Sequence, residues 1–508
     1  MALTKVTQSM IDGPYVDPAQ FGAVGDGVTD DSTALQACSD YLYGLGGGVM
    51  TLYANKEYNV GSKALYIRGD VSIEGNGATI SKTSIATDGM IIRPYPQDLS
   101  AQRTINVGSS KYETSVTTST ASDAGDFSSG DVVLMQWGTD PYDVTQRYAS
   151  YIAKVASSNA STGVISLSSA IPYDWAYSTS PSIRKLTGAW SGFIRNITIK
   201  STVPSPGICN GIYLGNAYEA RIENVKSIDV TGATVVSAYC TSIDIDGIIN
   251  EYIEAVDAGL ERGRSFNSWS SQYISVDAIT DNNTRDYANS AVFIESGCRG
   301  IIISNSHMSG TGVAGAFGVT VNGGSEDILL SNNIVENFVT AFDVTEASEV
   351  YFKNNVIRKG GAQPLRAMVI DYIGNTVESG AKMRNLNGLA TVNYTTSSIA
   401  VGISTFLTAS TLSNAITDGI VVGLSWKLSN GPITQGTLTI EVFNSAAGIQ
   451  STSTAVTGDG EVIFNFNTEN TPAIMFDAGD SLNVRVTASA DLLPAATLDL
   501  EANLLVAY

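Results

Sequence analysis

Ile301-Ile302-Ile303-Ser304-Asn305, Ile328-Leu329-Leu330-Ser331-Asn332, Val350-Tyr351-Phe352-Lys353-Asn354 and Asp371-Tyr372-Ile373-Gly374-Asn375 can be laid on one another without gaps. Their asparagines fall 27, 22 and 21 residues apart. Two earlier copies, Phe193-Ile194-Arg195-Asn196 and Arg221-Ile222-Glu223-Asn224, are 28 apart. A period near 22 residues suits one coil of a β-helix. Such a coil cannot bury its apolar face alone and must stack on its neighbours. Asparagine recurs at one turn position because it tolerates left-handed backbone, and stacked amides can hydrogen-bond from coil to coil. Leucine-rich repeats have a similar period, but their dense leucine pattern is absent. No helical periodicity of comparable strength runs through residues 190–380.

Working outward, a second strand precedes each copy: Gly211-Ile212-Tyr213-Leu214, Ala291-Val292-Phe293-Ile294, Gly318-Val319-Thr320-Val321 and Ala341-Phe342-Asp343-Val344. Alternation sends Ile212, Leu214, Val292, Ile294, Val319, Val321, Phe342 and Val344 inward. It leaves Tyr213, Phe293, Glu295, Thr320, Asn322, Asp343 and Thr345 facing solvent. A flat, ridged face of this kind suits a long polymer better than a small molecule.

The bulk composition agrees with strands and turns. Only 15% of the 508 residues are charged, and the polar load falls on Ser, Thr, Asn and 49 Gly. The net charge of −21 disfavours nucleic acid as a partner, since the surface would repel phosphate. Solubility is the plain reading of that charge. Cys38, Cys209, Cys240 and Cys298 form no CxxC pair and read as buried thiols. His307 is the one histidine, so no multi-histidine metal centre is expected, and its strand-to-turn setting points to a structural role. No metal or other cofactor is expected. Met1–Asp12 lacks the apolar core of a signal peptide, and no stretch of about 18 apolar residues is present, so membrane insertion is not expected.

Nearer the start, Gly25-Asp26-Gly27 is a turn, and Asp30, Asp31 and Ser32 are helix N-cap candidates. Ala34, Leu35, Cys38 and Leu42 give the helix an apolar face, and Gly46-Gly47-Gly48 ends it before the strand Val49–Tyr53. A helix there would cap the open end of a solenoid. The run Phe21-Gly-Ala-Val-Gly-Asp-Gly-Val-Thr-Asp-Asp31 closely resembles the opening of pectate-lyase-like β-helix proteins. Met1-Ala-Leu-Thr-Lys-Val-Thr-Gln-Ser-Met10 is similar to the short leader of phage tailspikes and capsule or O-antigen depolymerases. The first motif speaks for fold rather than chemistry. The resemblance covers roughly residues 1–80 by motif and reaches about 380 by architecture. It implies an all-β chain with a right-handed parallel β-helix. It also implies a homotrimer, attached through its N-terminus to a virion baseplate or adaptor protein. Such a protein would be made in the host cytoplasm and carried on the phage tail to the bacterial surface. The acidic motif itself reads as turn and cap, not as a metal site.

The expected organisation is a leader at 1–16, a β-helix with its capping helix at 17–385, and a C-terminal antiparallel β-sandwich at 386–508 for trimerisation or sugar binding. Sandwich strands are expected at 438–442, 462–466, 482–486 and 498–500. A β insertion is expected at about 100–180, with strands near 125–134 and 163–167. It carries Trp137, Tyr142, Tyr148, Tyr151, Tyr173, Trp175 and Tyr177. These aromatics could stack on sugars or simply fill a core.

Glycoside hydrolysis needs two carboxylates, about 5–5.5 Å apart for retention or about 6.5–9.5 Å for inversion. Coils about 4.8 Å apart supply such spacings from outward acids. Aligning Leu260-Glu261 with Ile294-Glu295 puts Glu261 and Glu295 in one column, and Asp343 lies two coils past Glu295. These three are the catalytic candidates, with Asp257, Asp277 and Asp286 in reserve. Arg262, Arg264, Tyr213, Phe293, Asn322 and Trp269 are the substrate-binding candidates; the arginines suit an anionic sugar. Against this, most surface acids on so acidic a chain are simply solvated. Three functions stay open: an endo-acting hydrolase of a bacterial surface polysaccharide, a polysaccharide lyase on the same fold, and a non-catalytic adhesin.

Overall fold

The computed structural model describes residues 14–94, 98–106, 112–136, 150–172, 181–203, 207–251, 263–282, 290–310, 317–322, 325–338 and 340–358, and beyond these the backbone of strands between 365 and 507. Two compact units make up the chain. The first takes in 1–344, 349–361 and 374–381; the second holds 345–348, 362–373 and 382–508.

The first unit is a parallel β-helix of about ten turns. Two columns of strands define it. Phe193–Ser201, Tyr218–Ile228, Thr241–Glu251, Gln272–Asn282, Arg299–Ser304 and Glu326–Ser331 stack in parallel register as the first column. Leu65–Ile67, Met90–Pro94, Asn210–Gly215, Ala233–Ala238, Arg264–Trp269, Ser290–Glu295, Phe317–Val321 and the start of Thr340–Lys353 form the second. Isoleucine fills the interior of each coil in turn. Ile243 stacks on Ile274 and Ile301 on Ile328, all four 1% exposed or less. Each such side chain contributes roughly 1.5–3 kcal/mol of burial, which only a neighbouring coil can provide.

The asparagine period has a backbone cause. One left-handed corner of the first-column path recurs from coil to coil at Asn196, Asn224, Gly247, Ala278, Asn305, Asn332 and Asn354, with φ between 50° and 78°. Stacked amides do bond between coils, as Asn224 Nδ2 donates to Asn196 Oδ1 at 3.1 Å. Gly247 and Ala278 hold the same corner without the asparagine signature, so the repeat faded between Asn224 and Asn305. A β-carbon on Gly247 would lie 3.0 Å from Asn224 Oδ1, so glycine suits that corner on contact as well as on φ. Just past the bend, a buried polar rung satisfies backbone N–H groups from coil to coil. Ile279 N donates to Ser306 Oγ, Ser306 N to Asn333 Oδ1 and Asn333 N to Asn355 Oδ1, each from one coil to the next.

The helix Ser32–Gly44 buries Leu35, Cys38 and Leu42, while Ala34 is only half-buried. Asp31 stands at the N-cap position, but its carboxylate does not cap the helix. It accepts from Val24 N at 2.7 Å and Gly25 N at 3.0 Å and so closes the glycine turn. Asp30 accepts from Ser32 N at 2.9 Å. Backbone and hydroxyl donors of Val28 and Thr29 hold the Asp26 carboxyl below its ordinary range, Thr29 most strongly. All three acids are thus engaged by the turn itself.

The insertion is a seven-stranded antiparallel sheet between Asp98 and Thr187. It contains the expected strands as Val132–Gln136 and Val164–Leu167; the Ala121–Asp126 segment is a 3₁₀ turn instead. The four cysteines are free and buried. The second unit contributes two antiparallel sheets, of six and four strands. Leu438–Asn444, Gly460–Ile463, Leu482–Ala488 and Asp499–Ala507 are strands of these sheets and overlap the strands expected at 438–442, 462–466, 482–486 and 498–500.

Candidate functional site

The outer face of the second column carries the candidate site. The inward set is as the sequence predicts: Ile212, Leu214, Val292, Ile294, Val319, Val321, Phe342 and Val344 are each 1% exposed or less, but Thr320, expected to face solvent, is buried at 4% and hydrogen-bonds the Ser290 hydroxyl. The opposite parity forms one ladder across successive coils. Tyr66 pairs with Arg93, and Tyr213 follows in the next coil; then come Val236, Asn267, Phe293, Thr320 and Asp343. One step toward the turn, Trp269 and Glu295 occupy neighbouring coils.

Aromatic rings and arginines interleave on this face. Tyr213 and Trp269 stand two coils apart, about 9.6 Å along the axis. Their ring centroids are nevertheless 5.8 Å apart, so both lean over the intervening coil. Val236 lies in that coil and is 1% exposed despite facing outward. Arg93 reaches both Tyr213 and Tyr66, at 5.7 and 5.9 Å from the ring centroids. Asp88 pairs with Arg93 at 3.5 Å and accepts from Tyr66 Oη at 2.7 Å. Burial first, and then the bond to Asp88, push the Tyr66 phenol up, so it stays protonated as a donor. Arg264 lies over the Phe293 ring at 4.3 Å. Such contacts hold a guanidinium flat and oriented.

The carboxylates are arranged differently from the sequence alignment. The residue beside Glu295 on the preceding coil is Trp269, not Glu261. The strand Arg264–Trp269 supplies that position, eight residues past the alignment used for Glu261. The irregular coil length there shifted the register. Glu261 and Arg262 themselves lie outside the described residues, as do Asp257 and Asp286. Glu295 is half-buried at the end of its strand. Asp343 sits in the Phe293 column, two coils on and two residues across from Glu295. That offset puts their backbones about 12 Å apart, within reach of converging side chains for an inverting spacing. Asn322 is half-buried, and its backbone ties the turn through Asn322 N to Ile294 O at 2.9 Å.

A second acidic feature was not anticipated as a unit. Glu223, Asp246 and Asp277 occupy one register position on three successive coils, just before the left-handed corner. Such neighbours are about 4.8 Å apart in backbone. Arg195 flanks Glu223 at 3.9 Å, and Asp277 accepts from Ser304 Oγ and Asn305 Nδ2, both at 2.6 Å. Asp246, between them, is exposed. Asp277 was a reserve candidate by sequence; the column was missed because Gly247 and Ala278 replace the asparagine that follows Glu223 and so hide that Asp246 and Asp277 share its register. Tyr66, Arg93 and Asp88 were missed because the insertion separates them by over 100 residues from the coil they adjoin.

The insertion sheet borders this face. Ser150 Oγ donates to Ser270 O at 3.0 Å, Ile152 N to Thr241 Oγ1 at 3.1 Å, and Lys154 pairs with Glu219 at 2.6 Å. Ser270 stands in the turn that follows the second-column strand Arg264–Trp269, and Glu219 and Thr241 lie at the starts of first-column strands, just past the equivalent turns. Of the insertion's aromatics, Tyr151 is 1% exposed and belongs to its core; burial pushes its phenol up to about 12. Trp137, Tyr142, Tyr148, Tyr173, Trp175 and Tyr177 lie outside the described residues. His307 Nε2 donates to Glu336 Oε1, 3.0 Å away, on the first-column side. Among the described residues no three His, Cys, Asp or Glu side chains gather as a metal site.

No family model matches the chain. Among solved structures, the chain is similar to the tailspike gp61 of Pseudomonas phage phi297, at 11% identity and a TM-score of 0.41 over 97% of this chain and 99% of that one. The tailspike gp49 of Pseudomonas phage LKA1 gives 14% identity and a TM-score of 0.38 over 94% and 100%. The A-module of Azotobacter vinelandii mannuronan C-5 epimerase AlgE4 gives 12% and 0.38 over 73% and 100%.

Proposed function

We propose that the chain is a phage tailspike that binds a bacterial surface polysaccharide along the second-column face and cleaves it by endo-glycosidic hydrolysis. The observation that carries this reading is the outward set of Tyr66, Arg93, Tyr213, Trp269, Arg264 and Phe293 along the second column. Rings set out along an axis meet successive sugar faces, and guanidinium groups between them meet hydroxyls or carboxylates. A small-molecule site would be concave and enclosed instead. The leader resemblance supports the virion setting and the trimer. Glu295, with Asp343 as partner, is the catalytic acid pair proposed for this face. The Glu223–Asp246–Asp277 ladder supports a second location for the cut, because its one-per-coil spacing approaches the retaining distance of about 5–5.5 Å.

The test is incubation of the full chain with a panel of capsular, O-antigen and exopolysaccharides, followed by size-exclusion analysis. Shorter oligosaccharides with new reducing ends support hydrolysis. Ultraviolet absorbance from an unsaturated uronate would replace it with the lyase, and binding without shortening with the adhesin. A panel that is neither bound nor cut removes the polysaccharide reading.

A further inference from the structure

A pocket opens on the second-column face, lined by Ile208, Asn210, Gly232, Ala233, Asn267 and Trp269 among others, with a volume of about 180 Å³. That is well below the roughly 300–1,000 Å³ of a drug-sized site, so it suits part of one sugar unit rather than a stretch of polymer. We propose that this pocket seats the acetamido group of an N-acetylamino sugar in the bound glycan. The proposal rests on the glycan-binding reading and adds the chemical class of one sugar unit.

Two asparagines and an apolar wall carry it. Asn267 is 7% exposed, and its Oδ1 is buried with no hydrogen-bond partner. A buried acceptor left unmade is unfavourable, and the described residues supply no donor for it. Asn210 is fixed from the other side: its Oδ1 accepts from Ala233 N at 2.9 Å, which leaves Nδ2 as the group to donate. Thr231, also in the lining, is spent, since its hydroxyl accepts from Cys209 N and donates to Gly207 O, both at 2.8 Å. The uncharged lining therefore offers one donor and one acceptor. A secondary amide carries both complements, with its C=O and N–H on opposite sides of one plane. With a hydrogen bond at each end it spans about 8 Å. Ile212 and Phe266 share a register two coils apart, with Asn210 two residues before the one and Asn267 one residue after the other. Their backbones are thus about 14 Å apart, and two side chains converging on one pocket narrow the gap to the span of an amide. A lone hydroxyl bridging the same pair would span only about 5.5 Å. The acetyl methyl has an apolar wall in Trp269 and in Ile208, which is 49% exposed. The pocket's depth is set by the backbone. A β-carbon on Gly232 would come within 2.3 Å of Asn210 Oδ1, so a side chain there would displace the donor.

The test uses the full chain and four probes: the methyl glycosides of N-acetylglucosamine and N-acetylgalactosamine, with methyl glucoside and methyl galactoside as matched controls. Saturation-transfer NMR reads binding. At least one acetamido glycoside is expected to bind at least roughly tenfold more tightly than its control, the scale of two added hydrogen bonds and a buried methyl. Its acetyl methyl should receive the strongest saturation. Asn210→Asp keeps the oxygen that accepts from Ala233 N and removes the donor, and Asn267→Leu removes the acceptor; each should lower the preference at least roughly threefold. Asn267→Leu also removes an unpaired buried polar group, so its urea midpoint should not fall, which separates lost recognition from lost folding. Circular dichroism checks that both variants fold, and the probe comparison on the parent chain stands without them. Equal binding of acetamido and control probes, no binding of any acetamido probe, or an unchanged preference in either variant overturns the proposal. If a polysaccharide without amino sugars is bound and cut while both variants cut it equally well, the pocket inference falls and the polysaccharide reading stands. If no polysaccharide is engaged at all, both fall.

Discussion

Asn333 offers the sharpest test of how the coils are held in register. Its side chain is fully buried. Oδ1 accepts from Ser306 N at 3.1 Å in the preceding coil, and Nδ2 donates at 3.0 Å to Ile303 O and to Asn355 Oδ1. Asn333→Ala removes all three bonds. Asn355 Oδ1 keeps the donor Asn333 N, but the Ser306 N–H loses its acceptor. One orphaned buried donor costs about 1–3 kcal/mol, and the other two lost bonds add roughly 0.5–1.5 kcal/mol each. The expected destabilisation is therefore about 3 kcal/mol, or a urea midpoint lowered by roughly 1 M. Asn333→Asp separates the donor from the acceptor. It keeps an oxygen for Ser306 N but can donate to Ile303 O only when protonated. Burial raises the folded-state pKa of such a carboxyl above its unfolded value of about 3.9. Its stability is then complete below the unfolded pKa and falls as pH rises through the folded one, so Asp should be far more damaging at pH 7 than at pH 4. Urea titrations at both pH values, with amide exchange at Ser306 as the local readout, measure this. A midpoint for Asn333→Ala within about 0.2 M of the parent, or an Asp variant insensitive to pH, would refute the reasoning.

Glu295→Gln should lower turnover of the cognate polysaccharide roughly 10²-fold or more while leaving polymer binding intact, the usual scale of general acid–base help. Undiminished turnover in Glu295→Gln and Asp343→Asn alike would move the cut to Glu223, Asp246 and Asp277. Asp31→Ala should cost about 2–4 kcal/mol in urea unfolding, because it strips the acceptor from Val24 N and Gly25 N at a position 1% exposed; a loss under about 0.5 kcal/mol would remove the turn-closing role. Sedimentation equilibrium should give three times the 53.3 kDa chain mass, and one chain mass at micromolar concentration would count against the trimer. A chain ending near residue 380 should lose the trimer or its heat resistance; if it keeps both, the C-terminal sheets do not lock the assembly.

What could be read from the chain follows from which constraints act locally. The left-handed corner at Asn224, Asn305, Asn332 and Asn354 demands a residue tolerant of positive φ, and asparagine meets that demand with a visible letter. In–out alternation from Ile212 to Val344 is equally local, since each strand decides its own parity. Register between coils is not local. It depends on how many residues each loop holds, and the coil from Gly247 to Ala278 is 31 residues where Asn332 to Asn354 takes 22. Alignment by similarity therefore slid Glu261 onto the place that Trp269 holds.

Neighbours on a solenoid face are fixed by stacking, so a side chain's partner is chosen by loop length upstream rather than by its own sequence context. Arg93 meets Tyr213 because the whole sheet between Asp98 and Thr187 leaves and rejoins the solenoid at adjacent coils. A face built in this way can change its pattern of rings and charges through insertions at the corners, while the isoleucine ladders beneath stay in place. Binding specificity is then carried by the lengths of the turns, and an alteration of one corner loop should move the Arg264–Trp269 pocket relative to Glu295 without disturbing the core between them.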